Sequence, residues 1–365
     1  MSQLAKEFAI YFLILLGHNY SVIKPKRLKA GDQIAAVTPS WGGPGALPWV
    51  YELGKRQIED ELALKVVDMP HTRRDPQWLY NNPKARAEDL MQAFTDSSIK
   101  AIFSTVGGDE SIRILPFLDL NIIKNNPKIF LGFSDVTTIH MACYKAGLSS
   151  FYGPSVMVEF AENGGILSYT LESIKRTLFS REKIGEISAS MSGWTAELPE
   201  WAPENRNQNR KLKAPMPWRI LQGTGTVPGH LLGGCFEALE FLKGTEYWPT
   251  LDQWNGALLF VETYDAPSTV YCEHWLRNYA SQGILQRIKG ILFGRPGGSQ
   301  HSEEDFERYD AAFLKITHEF GLTDLPILSR MDFGHTDPKI ILPYGINTKI
   351  CCDNASIVIE ENAVE

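Results

Sequence analysis

Apolar runs and helical repeats alternate along most of the chain after residue 22. Residues 32–40 (Asp-Gln-Ile-Ala-Ala-Val-Thr-Pro-Ser) predict a first strand ending in a turn, and residues 64–68 a second. Residues 86–94 carry Leu90, Met91 and Phe94 at helical spacing. The apolar stretch from Lys100 to Val106 predicts a buried strand, followed by Gly107-Gly-Asp-Glu-Ser111, with Ser111 opening a helix. Residues 129–135 (Ile-Phe-Leu-Gly-Phe-Ser-Asp) predict another strand and turn, and residues 136–146 a helix stopped by Gly147. Strands alternating with helices imply a doubly wound parallel sheet of α/β class, with functional groups at the carboxyl ends of its strands. Ser40, Ser111 and Ser134 all fall at such ends.

The periodicity then breaks. Residues 185–220 are polar and proline-rich, yet they hold Trp194, Trp201 and Trp218. Disordered segments are poor in aromatics, so this stretch reads as a lid or binding loop. Regular patterning resumes with Gly229-His-Leu-Leu-Gly-Gly234, a helix over 235–242 and a strand over 256–262 that ends on Glu262. A helix over 270–279, a strand over 288–295, a long helix over 302–320 capped by Ser302, and closing strands over 339–342 and 355–360 follow. The expected organisation is an extension over 1–22, a nucleophile domain over 23–170, a linker with the tryptophan loop over 171–222, and a smaller, strand-rich α/β domain over 223–365.

Composition narrows the class. Hydrophobic residues make up 44% and charged residues 22%, the balance of a globular enzyme. The net charge of −7 and the lack of a Lys/Arg run argue against nucleic acid and membrane surfaces as partners. Five cysteines with no Cys-x-x-Cys spacing argue against a disulfide framework or thiolate metal site and point to a reducing, cytoplasmic compartment. No metal or other cofactor is expected. The apolar Phe8–Leu16 stretch is too short to span a bilayer and lacks a small-x-small cleavage site, although it leaves export open.

The Ser111 turn admits two chemistries. A serine beside a helix N-terminus suits a nucleophile, and the same glycine-rich turn suits a phosphate cradle. A serine needs a base, usually a histidine oriented by a carboxylate. His335, in Met331-Asp-Phe-Gly-His-Thr-Asp-Pro338, is best placed to present its ring to a cleft, and His230 is a lesser candidate. His140 and His318 fall within helices and read as structural. Glu262, ending an apolar strand, is the candidate carboxylate. The alternative is a kinase-like nucleotide-binding protein, against which stands Glu110, an acidic side chain where phosphate would approach.

Taken together, these segments resemble the LD-carboxypeptidase family of serine peptidases. The resemblance rests on Ile23-Lys-Pro-Lys-Arg-Leu-Lys-Ala-Gly-Asp-Gln-Ile-Ala, Thr38-Pro-Ser40, Arg86-Ala-Glu-Asp-Leu, Gly107-Gly-Asp-Glu-Ser-Ile-Arg113, Gly132-Phe-Ser-Asp135, Gly229-His-Leu-Leu-Gly-Gly234, Leu259-Phe-Val-Glu262, Gly294-Arg295 and Phe333-Gly-His335. It implies a flavodoxin-like N-terminal domain, a C-terminal swivelling domain, and a homodimer. It also implies a Ser–Glu–His triad of Ser111, Glu262 and His335, with oxyanion donors from the backbone of Ile112 and the Asn81 region. Gly108, Asp109, Arg113, Ser134, Trp194 and Trp201 are then expected to bind substrate. That substrate is a murein-type L,D-peptide or, as in the microcin C self-immunity branch with its longer tryptophan-bearing loop, a peptidyl- or aminoacyl-nucleotide.

Overall fold

The computed structural model describes residues 22–197, 201–264, 268–297 and 301–365. The expected extension therefore lies, except for Val22, outside the described residues. Fourteen strands form two sheets among them. The first contains β1 (Gln33–Val37), β2 (Lys65–Asp68), β3 (Ile99–Ser104), β4 (Ile129–Gly132) and β5 (Phe151–Tyr152), all parallel, in the order β5-β4-β3-β1-β2. This is the flavodoxin-like arrangement, and its strand order reverses between β1 and β3.

The second sheet draws on β6 (Gly185–Ile187), β7 (Arg219–Gln222), β8 (Thr226–Cys235), β9 (Ala257–Glu262), β10 (Gly290–Gly294) and β11 (Ile327–Met331). After β12 (Leu342–Pro343), which returns to pair antiparallel with β5 of the first sheet, β13 (Asn347–Cys351) and β14 (Ser356–Ile359) complete it. Its order is β6-β14-β13-β8-β9-β10-β11-β7, with β8 to β11 parallel and the flanking strands antiparallel. The α/β class and two-sheet architecture are as expected.

Apolar runs became the central strands because they are covered on both faces: every residue of β9, β10 and β11 is buried. A polar signal sets the start of the long helix Glu303–Glu319. Ser302 accepts from the Asp305 amide at 3.2 Å, and Asp305 answers to the Ser302 amide at 2.9 Å, a reciprocal cap. Elsewhere local signals misled. Ser111–Phe117 is a 3-10 helix with Pro116 inside, and a proline cannot sustain an α-helical ladder. Residues 339–341 are buried but outside any strand, and only Leu342–Pro343 pairs. The 229–234 stretch lies within β8, the longest strand, because its glycines let neighbouring chains approach closely. The 185–220 stretch is a loop only in part, carrying β6 at its start and β7 at its end.

The larger apolar cluster spans both sheets, from Leu28 to Val364. Tyr344 stacks on His140 at 4.9 Å, its hydroxyl donates to the Gly233 carbonyl at 2.8 Å, and Thr137 Oγ1 accepts from the Cys235 amide at 3.1 Å. His140 is structural, its ring nitrogens on Ser150 Oγ and the Gly132 carbonyl. At the far side of the second sheet Trp254 is fully buried against Trp248 and Tyr279. Trp254→Ala is expected to cost about 3–5 kcal/mol through the cavity it leaves. A urea melt checks this, and an unchanged midpoint would show that the cluster contributes no stability.

Candidate active site

Two strand ends and one loop meet where the sheets face each other. β4 ends at Gly132, and the chain then turns so sharply that Ser134 takes φ +66° before the short 3-10 helix Ser134–Val136. A non-glycine residue in the left-handed region is uncommon, and strand-turn-helix serines that project from a sheet adopt it. Two hydrogen bonds fix the turn: Thr137 Oγ1 donates to the Ser134 carbonyl at 2.7 Å, and the Ser134 amide donates to the Tyr152 hydroxyl at 3.1 Å. Glu262 is the last residue of β9 and is fully buried. His335 follows β11.

These three side chains form one hydrogen-bonded line. His335 Nε2 lies 2.9 Å from Ser134 Oγ, and His335 Nδ1 lies 2.6 Å from Glu262 Oε2. The imidazole is held between Phe133 and Tyr264, with ring centroids 5.1 and 4.9 Å away. Gly334 makes the approach possible: a Cβ there would lie 2.5 Å from Glu262 Cγ, and its φ is +90°. Gly107 opens space on the other side. A Cβ there would stand 3.0 Å from Ser134 Oγ and 3.6 Å from the Asp135 amide nitrogen.

The buried Glu262 carboxylate survives because it is over-partnered. Burial pushes its pKa up, but the His335 charge and hydrogen bond, the Tyr152 hydroxyl and Lys339 outweigh that, and the net shift is downward. Tyr152 donates its proton to Glu262 Oε1, and burial together with that carboxylate drives the phenol far above its ordinary pKa. Lys339 is itself buried, paired with Glu159, and sits 3.6 Å from the centre of the Phe133 ring.

Ser111 does not join this line, contrary to the expectation that it would meet His335. It is fully buried, and its hydroxyl bonds the Asp135 carbonyl at 2.8 Å and Thr138 Oγ1 at 2.6 Å. Its amide and that of Glu110 donate to Asp135 Oδ2 at 2.7 and 3.0 Å, and Ser40 Oγ donates to the same oxygen at 2.5 Å. The Gly-Gly-Asp-Glu-Ser turn therefore wraps the Asp135 carboxylate. The amides of Glu110 and Ser111 are occupied and unavailable to a phosphate. The reason the two serines were exchangeable in sequence is that both follow apolar strands at tight turns; only the sheet order decides which one faces His335.

The partners inferred from Ser111 move with it. Ile112 is half-buried in the 3-10 helix, packed on the core, and Asn81 is exposed at the end of the helix Pro76–Asn81. Their role as oxyanion donors depended on Ser111 and no longer follows. Arg113 reaches back to the Tyr80 carbonyl at 2.6 Å, with its guanidinium 4.2 Å from the Tyr80 ring centre. Asp109 is exposed, and Gly108 packs against Ser40 and Trp41. The residues missed in sequence are Tyr152 and Asp135. The motif Gly-Phe-Ser-Asp at the end of an apolar strand was the available signal.

The tryptophan loop is strapped to the histidine segment. Thr195 exchanges backbone hydrogen bonds with Asp337, 2.7 and 2.8 Å, two residues beyond His335. Arg210 bridges Glu162 and Asp337, the latter at 2.9 Å. Trp194 is buried against Phe306, with Arg295 and Lys213 over its ring, in a cavity of about 540 Å³. Trp201 is half-buried on the larger core, and its indole N–H has no partner among the described residues. No cluster able to hold a metal ion occurs among the described residues, and no helix of theirs is long and apolar enough to cross a membrane.

With this geometry in place, comparison with known proteins is decisive. The model of the LD-carboxypeptidase N-terminal domain matches residues 34–153, and that of the C-terminal domain residues 228–350. The chain belongs to the LD-carboxypeptidase family. Within the family it is 31% identical to the microcin C7 self-immunity protein MccF of Escherichia coli over 291 residues, 76% of this chain and 78% of that protein. It is 25% identical to the probable murein peptide carboxypeptidase of Bacillus subtilis over 346 residues, covering 94% and 96%. Among solved structures, an MccF-like protein of Streptococcus pneumoniae in complex with AMP superposes with a TM-score of 0.82 at 29% identity, covering 91% of this chain and 99% of that one. The two family domains supply one side each of the Ser134–His335–Glu262 line: Ser134 from the first, Glu262 and His335 from the second.

Because the folded Glu262 carboxyl titrates below its unfolded value, the unfolded chain binds more protons as pH falls. Its contribution is full above the ordinary carboxylate pKa of about 4.3 and is lost on acidification through the folded value. Urea midpoints measured downward from neutral pH should therefore fall less steeply in Glu262→Gln than in the unaltered protein. Parallel curves would show that Glu262 is not the group held ionised.

Proposed function

We propose that the protein is a serine-type amidohydrolase with Ser134 as nucleophile, His335 as general base and then acid, and Glu262 as the group that orients the imidazole. The 2.9 Å contact of His335 Nε2 with Ser134 Oγ, backed by Glu262 at Nδ1, carries this reading. Ser134 Oγ attacks the scissile carbonyl as its proton passes to His335 Nε2. Glu262 accepts from Nδ1–H, fixing the tautomer and stabilising the imidazolium. The imidazolium then protonates the leaving amine. Water, deprotonated by His335, releases the acyl group from Ser134 in the mirror sequence.

Negative charge develops on the carbonyl oxygen during both attacks. The Asp135 amide, second in the 3-10 helix Ser134–Val136, is the natural donor, as the amide following a turn-borne nucleophile. The gap left by the missing Gly107 side chain adjoins both Ser134 Oγ and that amide, and so offers the oxyanion a place. Tyr152 couples the two halves, accepting from the Ser134 amide while donating to Glu262.

For the substrate we favour an amide joining an acyl group to a nucleotide-like moiety. The tryptophan loop is fastened beside His335, and the indole N–H of Trp201 has no partner among the described residues. Stacking of a base on such an indole is worth roughly 1–3 kcal/mol. The likeness to MccF and to an AMP-bound MccF-like protein supports this choice. A murein L,D-peptide is the second reading, supported by the Bacillus murein peptide carboxypeptidase.

Turnover of aspartyl sulfamoyl adenosine and of a murein tetrapeptide should be measured side by side. Ser134→Ala is expected to lose on the order of 10⁴-fold or more in kcat on whichever substrate is cleaved. Ser111→Ala should keep kcat within about tenfold and lose about 1 kcal/mol of stability. The reverse ranking would return the nucleophile to Ser111, and full activity of both variants would remove the mechanism.

A further inference from the structure

The net charge of −7 conceals one strongly basic cavity. Its volume is about 640 Å³, and it lies where the chain enters β1, β3 and β4. Ser134 and Gly107 lie beyond the carboxyl ends of β4 and β3, so this cavity is at the opposite edge of the first sheet. For strands of this length the separation is roughly 15–20 Å.

Lys26, Arg27, Lys29, Lys100, Lys128 and Arg181 line it, against two acids, Asp32 and Glu365. Asp32 is already engaged by the Lys29 amide at 2.8 Å. None of the six cations has an ion-pair partner among the described residues, whereas their neighbour Lys24 is neutralised by Glu361. Two of the six are built in from below. Lys128 is nine-tenths buried and donates to the Ala93 carbonyl at 2.8 Å and to the Asp96 carbonyl. An ammonium has three N–H groups, so one remains. Arg27 donates through Nη1 to the Phe179 carbonyl at 3.2 Å, while its Nε is buried without an acceptor among the described residues. Burial pushes the Lys128 ammonium down to about 8, with Asp96 opposing and Lys100 adding to the shift. Phe94 and Ile99 complete an apolar wall.

Six cations that outnumber the acids around them repel one another, and a concave site of this size suits a small ligand. We propose that this cavity is a second binding site, separate from the hydrolytic one, for a small phosphate-bearing molecule. A phospholipid headgroup offers the same phosphate chemistry. The cations, however, line a concavity whose rim alone a bilayer would meet, and this favours a free ligand.

Inorganic pyrophosphate titrated calorimetrically into the full chain should bind saturably at one site. Lys29→Glu and Arg181→Glu, both at exposed positions, should each weaken it by about tenfold or more, a factor well outside titration error. Lys84→Glu removes the same charge from an exposed helix elsewhere and should bind as the unaltered protein does. Hydrolysis by the Ser134 site should be unchanged in all three, which separates this proposal from the one above. Absence of saturable binding, or equal weakening by Lys84→Glu, would overturn it. So would sedimentation with phosphatidylglycerol vesicles, but not phosphatidylcholine vesicles, that pyrophosphate does not compete away.

Discussion

A fully buried carboxylate is the constraint on which the site is built. Removing Glu262 from water would drive it to the neutral form, and a neutral acid could neither fix the His335 tautomer nor stabilise an imidazolium. The surrounding structure meets that cost with three separate groups. His335 comes from the segment after β11, Tyr152 from β5 of the other sheet, and Lys339 from the chain returning between them. The ionised state of Glu262 thus requires both sheets to be docked. The same hydroxyl of Tyr152 receives the Ser134 amide, so one phenol bonds both the Ser134 turn and the Glu262 carboxylate.

A second buried carboxylate does comparable work in the first sheet. Asp135 gathers the Ser40 hydroxyl and the amides of Glu110 and Ser111, tying together the ends of β1, β3 and β4 at the place where the strand order reverses. Burial pushes this carboxyl up despite these bonds. A Gly-Gly-Asp-Glu-Ser turn that reads as an anion cradle in sequence thus closes on a carboxyl group of the chain itself, Asp135. Drawing the turn inward also brings Gly107 over Ser134, which leaves the gap an oxyanion would need.

The fold class could be read from the sequence because parallel strands covered on both faces announce themselves as apolar runs, as in Ala257–Glu262 and Ile129–Gly132. Glu262 and His335 could be picked out because each ends or follows such a run. Ser111 and Ser134 could not be ranked by the same reasoning, since strand, tight turn and helix start are common to both, and the deciding fact is which strand end faces the other sheet. The left-handed turn at Ser134 has no glycine or asparagine to mark it. Tyr152 was invisible for a similar reason, being one aromatic in a two-residue strand. The basic cavity was equally hidden. Lys26, Arg27 and Lys29 share one short basic stretch, but Lys100, Lys128 and Arg181 come from three other segments, and only the fold assembles them.

A third group of buried charges joins the tryptophan loop to the segment that carries His335. Glu159, Glu162 and Asp337 face Lys339 and Arg210 beneath the tryptophan loop. Burial raises the two glutamates, whereas Lys339 and Arg210 hold Asp337 low against the same burial penalty. Three acids against two cations leave one surplus negative charge, and the glutamates are the groups positioned to take up a proton. Arg210 belongs to the loop, Asp337 lies two residues from His335, and Lys339 contributes to the field at Glu262. Buried pairs of this kind add little net stability but are costly to break singly. Any substitution that frees the loop would therefore also disturb the segment that positions the imidazole. The loop can vary in which aromatic faces it presents, but its anchor cannot vary independently of His335.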